Sequence, residues 1–142
     1  MRDIVAKPVA CVCTSSMDMH GLVKRAASLP KREELILLLK DDETLIYKLL
    51  PAYLNAVVRK RESVMRAKNL TTEMMLLVAG TMQISKAMEC CAAKDSKRFI
   101  VFASGSALLK KFTGTGVMVA KKLPLDFDGD VAEKIAVGSI SD

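Results

Sequence analysis

The sequence predicts an α+β fold in a single domain. Three observations point there. At 142 residues the chain is long enough for one sizeable core. Strand-like apolar runs, of which Phe99-Ile100-Val101-Phe102 is the clearest, are interleaved with segments of helical period such as Ile84, Ala87, Met88 and Cys91 at i, i+3, i+4, i+7. Half of the chain is apolar (51%) but only 4% is aromatic, so the core is built from aliphatics and the nine methionines.

Taken in order, Ile4 to Cys13 reads as a strand, with Pro8 pushing it to an edge or an interruption. In Ser15 to Leu29, Asp18 can cap a short helix through Val23 and Ala27 that Pro30 stops. Lys31 to Lys40 reads as a helix with Leu35, Leu38 and Leu39 inward. Thr44 to Leu50 alternates Leu45, Tyr47 and Leu49 with Ile46, Lys48 and Leu50, which predicts a strand. Pro51 then suits the first turn of a helix over Ala52 to Ala67. Leu54, Val57, Val58 and Met65 form its apolar stripe, and Arg61 falls within that stripe. The same helix carries the densest positive charge, Arg59, Lys60, Arg61 and Arg66 followed by Lys68, against one Glu62. Arg59 and Arg66, seven apart, share an outward face. These cations are either a solvated face, with Arg61 snorkelling out, or a phosphate-contacting patch.

The most informative stretch is Asn69 to Cys91, which reads as two short helices meeting at Gly80. Asn69 or Thr71 caps the first, and Glu73 sits near the positive end of its dipole. Met74 to Ala79 is apolar all round, with Met74, Leu77 and Val78 on one face and Met75 and Ala79 pointing away. Gly80 ends this helix in a left-handed cap. The second starts at Gly80 or Thr81, which puts Gln83 at a position from which it reaches back to the cap N–H. Met82 lies opposite the second helix's stripe. Met75 and Met82 are therefore either core or part of a partner-binding patch.

Arg98 to Ala103 is a buried strand, and Ser104-Gly105-Ser106 turns it into a helix ending near Phe112. Such a turn can hold a phosphate, but one glycine without a following Lys-Ser/Thr is not a P-loop. Gly114-Thr115-Gly116 has Val119 where a dinucleotide fingerprint needs glycine, and it leads into a strand over Val117 to Leu125. Asp128 or Asp130 caps a last helix with Val131, Ile135 and Ala136 inward, ended by Gly138.

The catalytic inventory is thin. His20 is the single histidine, and neither Cys11-x-Cys13 nor Cys90-Cys91 matches a zinc site, so reduced buried thiols in a cytoplasmic protein are expected, with no metal and no cofactor. Asp41-Asp42-Glu43 and Asp126-Phe127-Asp128 read as a loop and a helix cap. No apolar run approaches the length of a membrane span, and no signal peptide is apparent. A net charge of +6 and a pI of about 9.2 favour an acidic partner such as nucleic acid.

Glu73, Leu76-Leu77, Ala79-Gly80, Gln83-Ile84 and Ala87-Met88, followed by Ala93-Lys94-Asp95 and the strand from Phe99 to Ala103, resemble the PRPK-binding protein family, the small kinase-binding subunit of the KEOPS complex. The resemblance covers about residues 73 to 103, with Glu73, Gly80, Gln83, Ile84 and Ala87 as its motif. Met82 stands where many members carry arginine, and Ala92 where many carry glycine. It implies helices packed on a small mixed sheet and no catalysis by this chain. It also implies binding to the KEOPS kinase/ATPase subunit and to the unpaired CCA tail of tRNA, in support of threonylcarbamoyladenosine synthesis, with no membrane and no small-molecule substrate of its own. On this reading Arg59, Lys60, Arg61 and Arg66 approach the tRNA, with Lys121 and Lys122 next in line, and Met75 and Met82 dock the kinase. The rivals are a small enzyme using the Ser104-Gly105-Ser106 turn for a phosphate ligand, and a free-standing RNA-binding module.

Overall fold

The computed structural model describes residues 7–31, 33–65, 67–114 and 116–125. The order of elements is β1 (Val9–Ser15), α1 (Met19–Ser28), β2 (Ile36–Lys40), α2 (Glu43–Arg61), α3 (Leu70–Ala79), α4 (Ile84–Cys91), β3 (Phe99–Ala103), α5 (Ser106–Phe112) and β4 (Val117–Leu123). The fold is α+β, as expected. The sheet is not mixed: its four strands lie in the order β2-β3-β1-β4 and every pairing is antiparallel. Two compact units result, one holding the sheet with α1 and α5, the other holding α2, α3 and α4.

In the sheet unit, alternate residues of three strands point at α1 and α5. Cys11, Cys13, Ile36, Leu38, Phe99 and Val101 meet Leu22, Ala26, Leu108 and Phe112 in one cluster. β3 is paired on both sides and buried along its whole length, which is why its sequence is apolar without alternation. β1 is also central, so Pro8 does not make it an edge. The strand simply begins after the proline, at Val9, where backbone N–H groups again can join a ladder. Asp18 caps α1 as predicted, accepting from Gly21 N–H at 2.7 Å. Its inward residues are Leu22 and Ala26, one position before the predicted Val23 and Ala27, which are exposed.

Two predicted elements exchange type. The helix expected over Lys31 to Lys40 is a turn followed by β2. Glu34 N–H donates to Lys31 O at 2.7 Å and Lys31 N–H to Glu34 Oε1 at 2.8 Å, which closes the turn. Ile36 to Leu39 are then buried on both faces, so a run of leucines that fits a helix stripe is a buried strand instead. The strand expected over Thr44 to Leu50 is the first half of α2. Asp42 starts it, accepting from Thr44 N–H at 2.9 Å and from the Thr44 hydroxyl at 2.8 Å. Leu45, Leu49, Ala52, Tyr53 and Ala56 are buried at helical spacing, whereas Tyr47 is 85% exposed. Pro51 therefore lies inside the helix, not in a first turn. The helix ends at Arg61 and not at Ala67. Ser63 takes the left-handed conformation (φ 58°), and Val64 N–H closes the end on Arg59 O at 2.9 Å. Leu54, Val57 and Val58, predicted as its inner stripe, are only half-buried, and Arg61 is exposed. The helix predicted after Asp128 lies outside the described residues.

Candidate functional site

The site is built where α2 ends and α3 meets α4. Asn69 caps α3, accepting from Thr72 N–H at 2.8 Å. Gly80 ends it at φ 70°, ψ 30°, with its N–H and that of Thr81 both directed to Leu76 O, at 2.9 and 3.3 Å. Helix α4 does not restart at once. Thr81 Oγ1 accepts from Gln83 N–H at 3.2 Å, so a hydroxyl turn occupies the link, and α4 begins at Ile84. Gln83 is its N-cap without a side-chain cap bond, and it is exposed, not turned inward as predicted. Ala92 has an extended backbone (φ −69°, ψ 143°), a conformation that makes no demand for glycine.

Glu73 organises this region. Its side chain is 0% exposed. Oε2 accepts from Arg59 Nη1 at 2.9 Å and Oε1 accepts from Ala67 N–H at 2.9 Å. One carboxylate thus ties the last turn of α2, the connection after it and the first turn of α3. A buried carboxylate persists only with such charged and hydrogen-bonded partners. Arg59 consequently does not sit on a free outward face; it leans on Glu73 with 32% of its side chain accessible. Lys60 is half-buried and Arg61 exposed. Arg66 lies outside the described residues. All three described cations occupy the last turn of α2, where positive charge also suits the helix dipole.

Arg59 and Glu73 form one side of a cleft of about 400 Å³, with Leu76 and Leu77 as its apolar wall and Gly80, Met82 and Gln83 at its rim. Three motif residues, Glu73, Gly80 and Gln83, therefore share one cavity with a guanidinium. Its chemistry is that of a guanidinium plane, its charge balanced by Glu73, beside aliphatic surface, suited to a flat polar group. The other two motif residues point elsewhere. Ala87 is buried on α4, which packs against α3, while Ile84 is exposed.

The methionines divide. Met75 is 5% exposed and belongs to the interior, so it is not available to a partner. Its helix is apolar all round because Met74, Met75, Leu76 and Val78 are all buried. Met82 is 67% exposed, and Ile84 and Met88 of the predicted inner stripe are exposed with it. Only the small residues Ala87 and Cys91 of α4 face inward. Sequence reasoning missed Ile84 and Met88 as surface residues, since helical spacing identifies a stripe without saying how much of it is covered. The Arg59–Glu73 pair was missed as well. Its one signal was an acid interrupting an otherwise apolar helix.

Elsewhere, Ser104 is engaged structurally. Its N–H donates to Leu35 O and its hydroxyl accepts from Leu35 N–H, both at 3.0 Å. Cys11, Cys13 and Cys91 are buried thiols, and Cys90 is exposed. The Cys11 and Cys13 sulfurs lie 3.4 Å apart, and this contact together with burial pushes the Cys13 thiol up. No cluster of three metal-ligating side chains occurs among the described residues. No helix among them is long and apolar enough to cross a membrane. No protein-family model matches the chain, and no curated protein matches it in sequence.

Proposed function

We propose that this chain is a non-catalytic subunit of a KEOPS-type tRNA-modification complex, binding the small kinase/ATPase and the unpaired CCA end of tRNA. The observation that carries the reading is the cleft in which Glu73, Gly80 and Gln83 of the motif meet Arg59. A guanidinium plane beside leucine side chains is a surface on which an unpaired base stacks, with cations nearby for its phosphates. The net charge of +6 supports the same partner. The exposed Met82, Ile84 and Met88 supply an adaptable apolar surface for the kinase.

Two experiments test it. Arg61→Glu with Lys68→Glu changes exposed cations without touching the Arg59–Glu73 pair. The double variant is expected to fold normally, to bind tRNA more weakly, and to lose roughly 0.7–0.9 from the salt slope for each phosphate contact removed. An unchanged affinity and slope would remove this end of α2 from the RNA site. Reversing Arg59 is a poor test, because it would set a second carboxylate against buried Glu73. For the kinase, Met82→Lys with Ile84→Lys should leave the fold intact and weaken co-purification roughly tenfold or more, the range expected for apolar contacts near an interface centre. Full retention by the folded variant would reject this face.

A further inference from the structure

Among the described residues β4 is an edge strand: it pairs there with β1 alone, and its five central residues are exposed. Its register with β1 assigns each side chain to a face. Val119 stands opposite Cys13 and Lys122 opposite Cys11, on the face that carries the core of the sheet unit. Met118 stands opposite Thr14 and Lys121 opposite Val12, on the other face. The pairing shifts between Val12 and Cys13, leaving Ala120 as the extra residue of a bulge. Each face of this edge therefore presents one apolar side chain and one lysine. Met118 is 72% exposed, and both lysines are exposed.

Lysines and a bulge by themselves protect an edge from self-association. Two bare apolar side chains, one on each face, add nothing to that protection and instead offer contact to an added strand. We propose that β4 is a docking edge for an extended acidic segment of a protein partner, which joins the sheet as a fifth strand. The segment carries adjacent carboxylates, one for Lys121 and one for Lys122, followed by apolar residues against Met118 and Val119. Main-chain hydrogen bonds supply affinity in such an addition, and the alternating side chains supply selectivity. A second copy of the chain is disfavoured as occupant, since it brings a net charge of +6 and its own two lysines to the same edge. A nucleic acid is disfavoured because the two lysines straddle the sheet and do not line one phosphate track. This surface is independent of the cleft and of the function proposed for it.

The test is fluorescence anisotropy of the full chain with a labelled peptide of core sequence Glu-Glu-Val-Val, which runs antiparallel to β4 and leaves the bulged Ala120 unopposed. Saturable binding is expected. N-methylation of one alternate set of peptide N–H groups should abolish it, and methylation of the other set should not, because only one set faces β4. Lys121→Glu with Lys122→Glu should weaken binding roughly tenfold or more, and a peptide with lysines in place of the glutamates should bind that variant. If the variant fails to fold, the comparison of methylated peptides on the unaltered chain decides. Absence of saturable binding, or equal binding by both methylated peptides, overturns the proposal. So does a dimer in sedimentation that the double reversal dissolves, or loss of tRNA binding without any peptide binding.

Discussion

Glu73→Ala is expected to cost about 3 kcal/mol of stability, within the range for removing one partner of a buried, charge-assisted cluster. Among the described residues, Arg59 and the Ala67 N–H lose this acceptor at once. Arg59 keeps its charge in a half-covered position, and the Ala67 N–H is left unpaired. The accessible third of the Arg59 side chain lets water recover part of the loss, which holds the figure at the lower end. Urea unfolding monitored by circular dichroism would read this directly, with a fall in Tm of roughly 6–12 °C alongside. Arg59→Met in the Glu73→Ala background should add little, since the pair is already gone. The cycle of single and double variants isolates the coupling. A loss below about 1 kcal/mol for Glu73→Ala would mean that the carboxylate only decorates helices held by their apolar contacts.

Gly80→Val is expected to cost about 2 kcal/mol, and the cause is narrow. Nothing lies within 4 Å of where a Cβ would stand, so there is no clash to relieve. The whole cost is backbone strain, roughly 1–2 kcal/mol for a side chain held in the left-handed region and more for a β-branched one. Asparagine tolerates that region, so the order of stability should be Gly80, then Asn, Ala and Val at this position. If valine melts with the parent, the backbone at Gly80 does not hold its left-handed shape in solution. The substitution has a functional consequence on the proposed reading. Any shift at Gly80 re-aims α4 and with it Met82, Ile84 and Met88. Kinase co-purification should therefore fall for the valine variant even at temperatures where it stays folded.

These two positions were not equally legible. Gly80 is announced by its own chemistry: an apolar helix runs into a residue that alone takes φ 70° without strain, and the chain turns there. Asn69 and Asp18 are of the same kind, short polar residues that cap the helix beginning next to them. The Arg59–Glu73 pair depends on two helices coming together across a connection that the sequence assigned to a longer helix. No local rule places residue 59 against residue 73 once Ser63 has turned the chain.

The sequence by itself determined what is carried by near neighbours along the chain. That includes the capped start of α1, the helix α3 with its left-handed stop, and the strand-turn-helix from Phe99 to Phe112. Tertiary structure decided everything in which two periods fit the same letters. Leu35 to Leu39 satisfies a helical stripe and a doubly buried strand alike, and Leu45 to Leu50 satisfies alternation and helical spacing alike. Burial chose β2 for the first by pairing it with β3, and an Asp42 cap with inward Leu45, Leu49 and Tyr53 chose α2 for the second. Tertiary structure likewise placed Met75 inside and Met82 outside, although the two are the same residue type seven positions apart. The physical reason is that hydrophobicity states which side chains gain from leaving water, while only the packed neighbours settle which of them find cover.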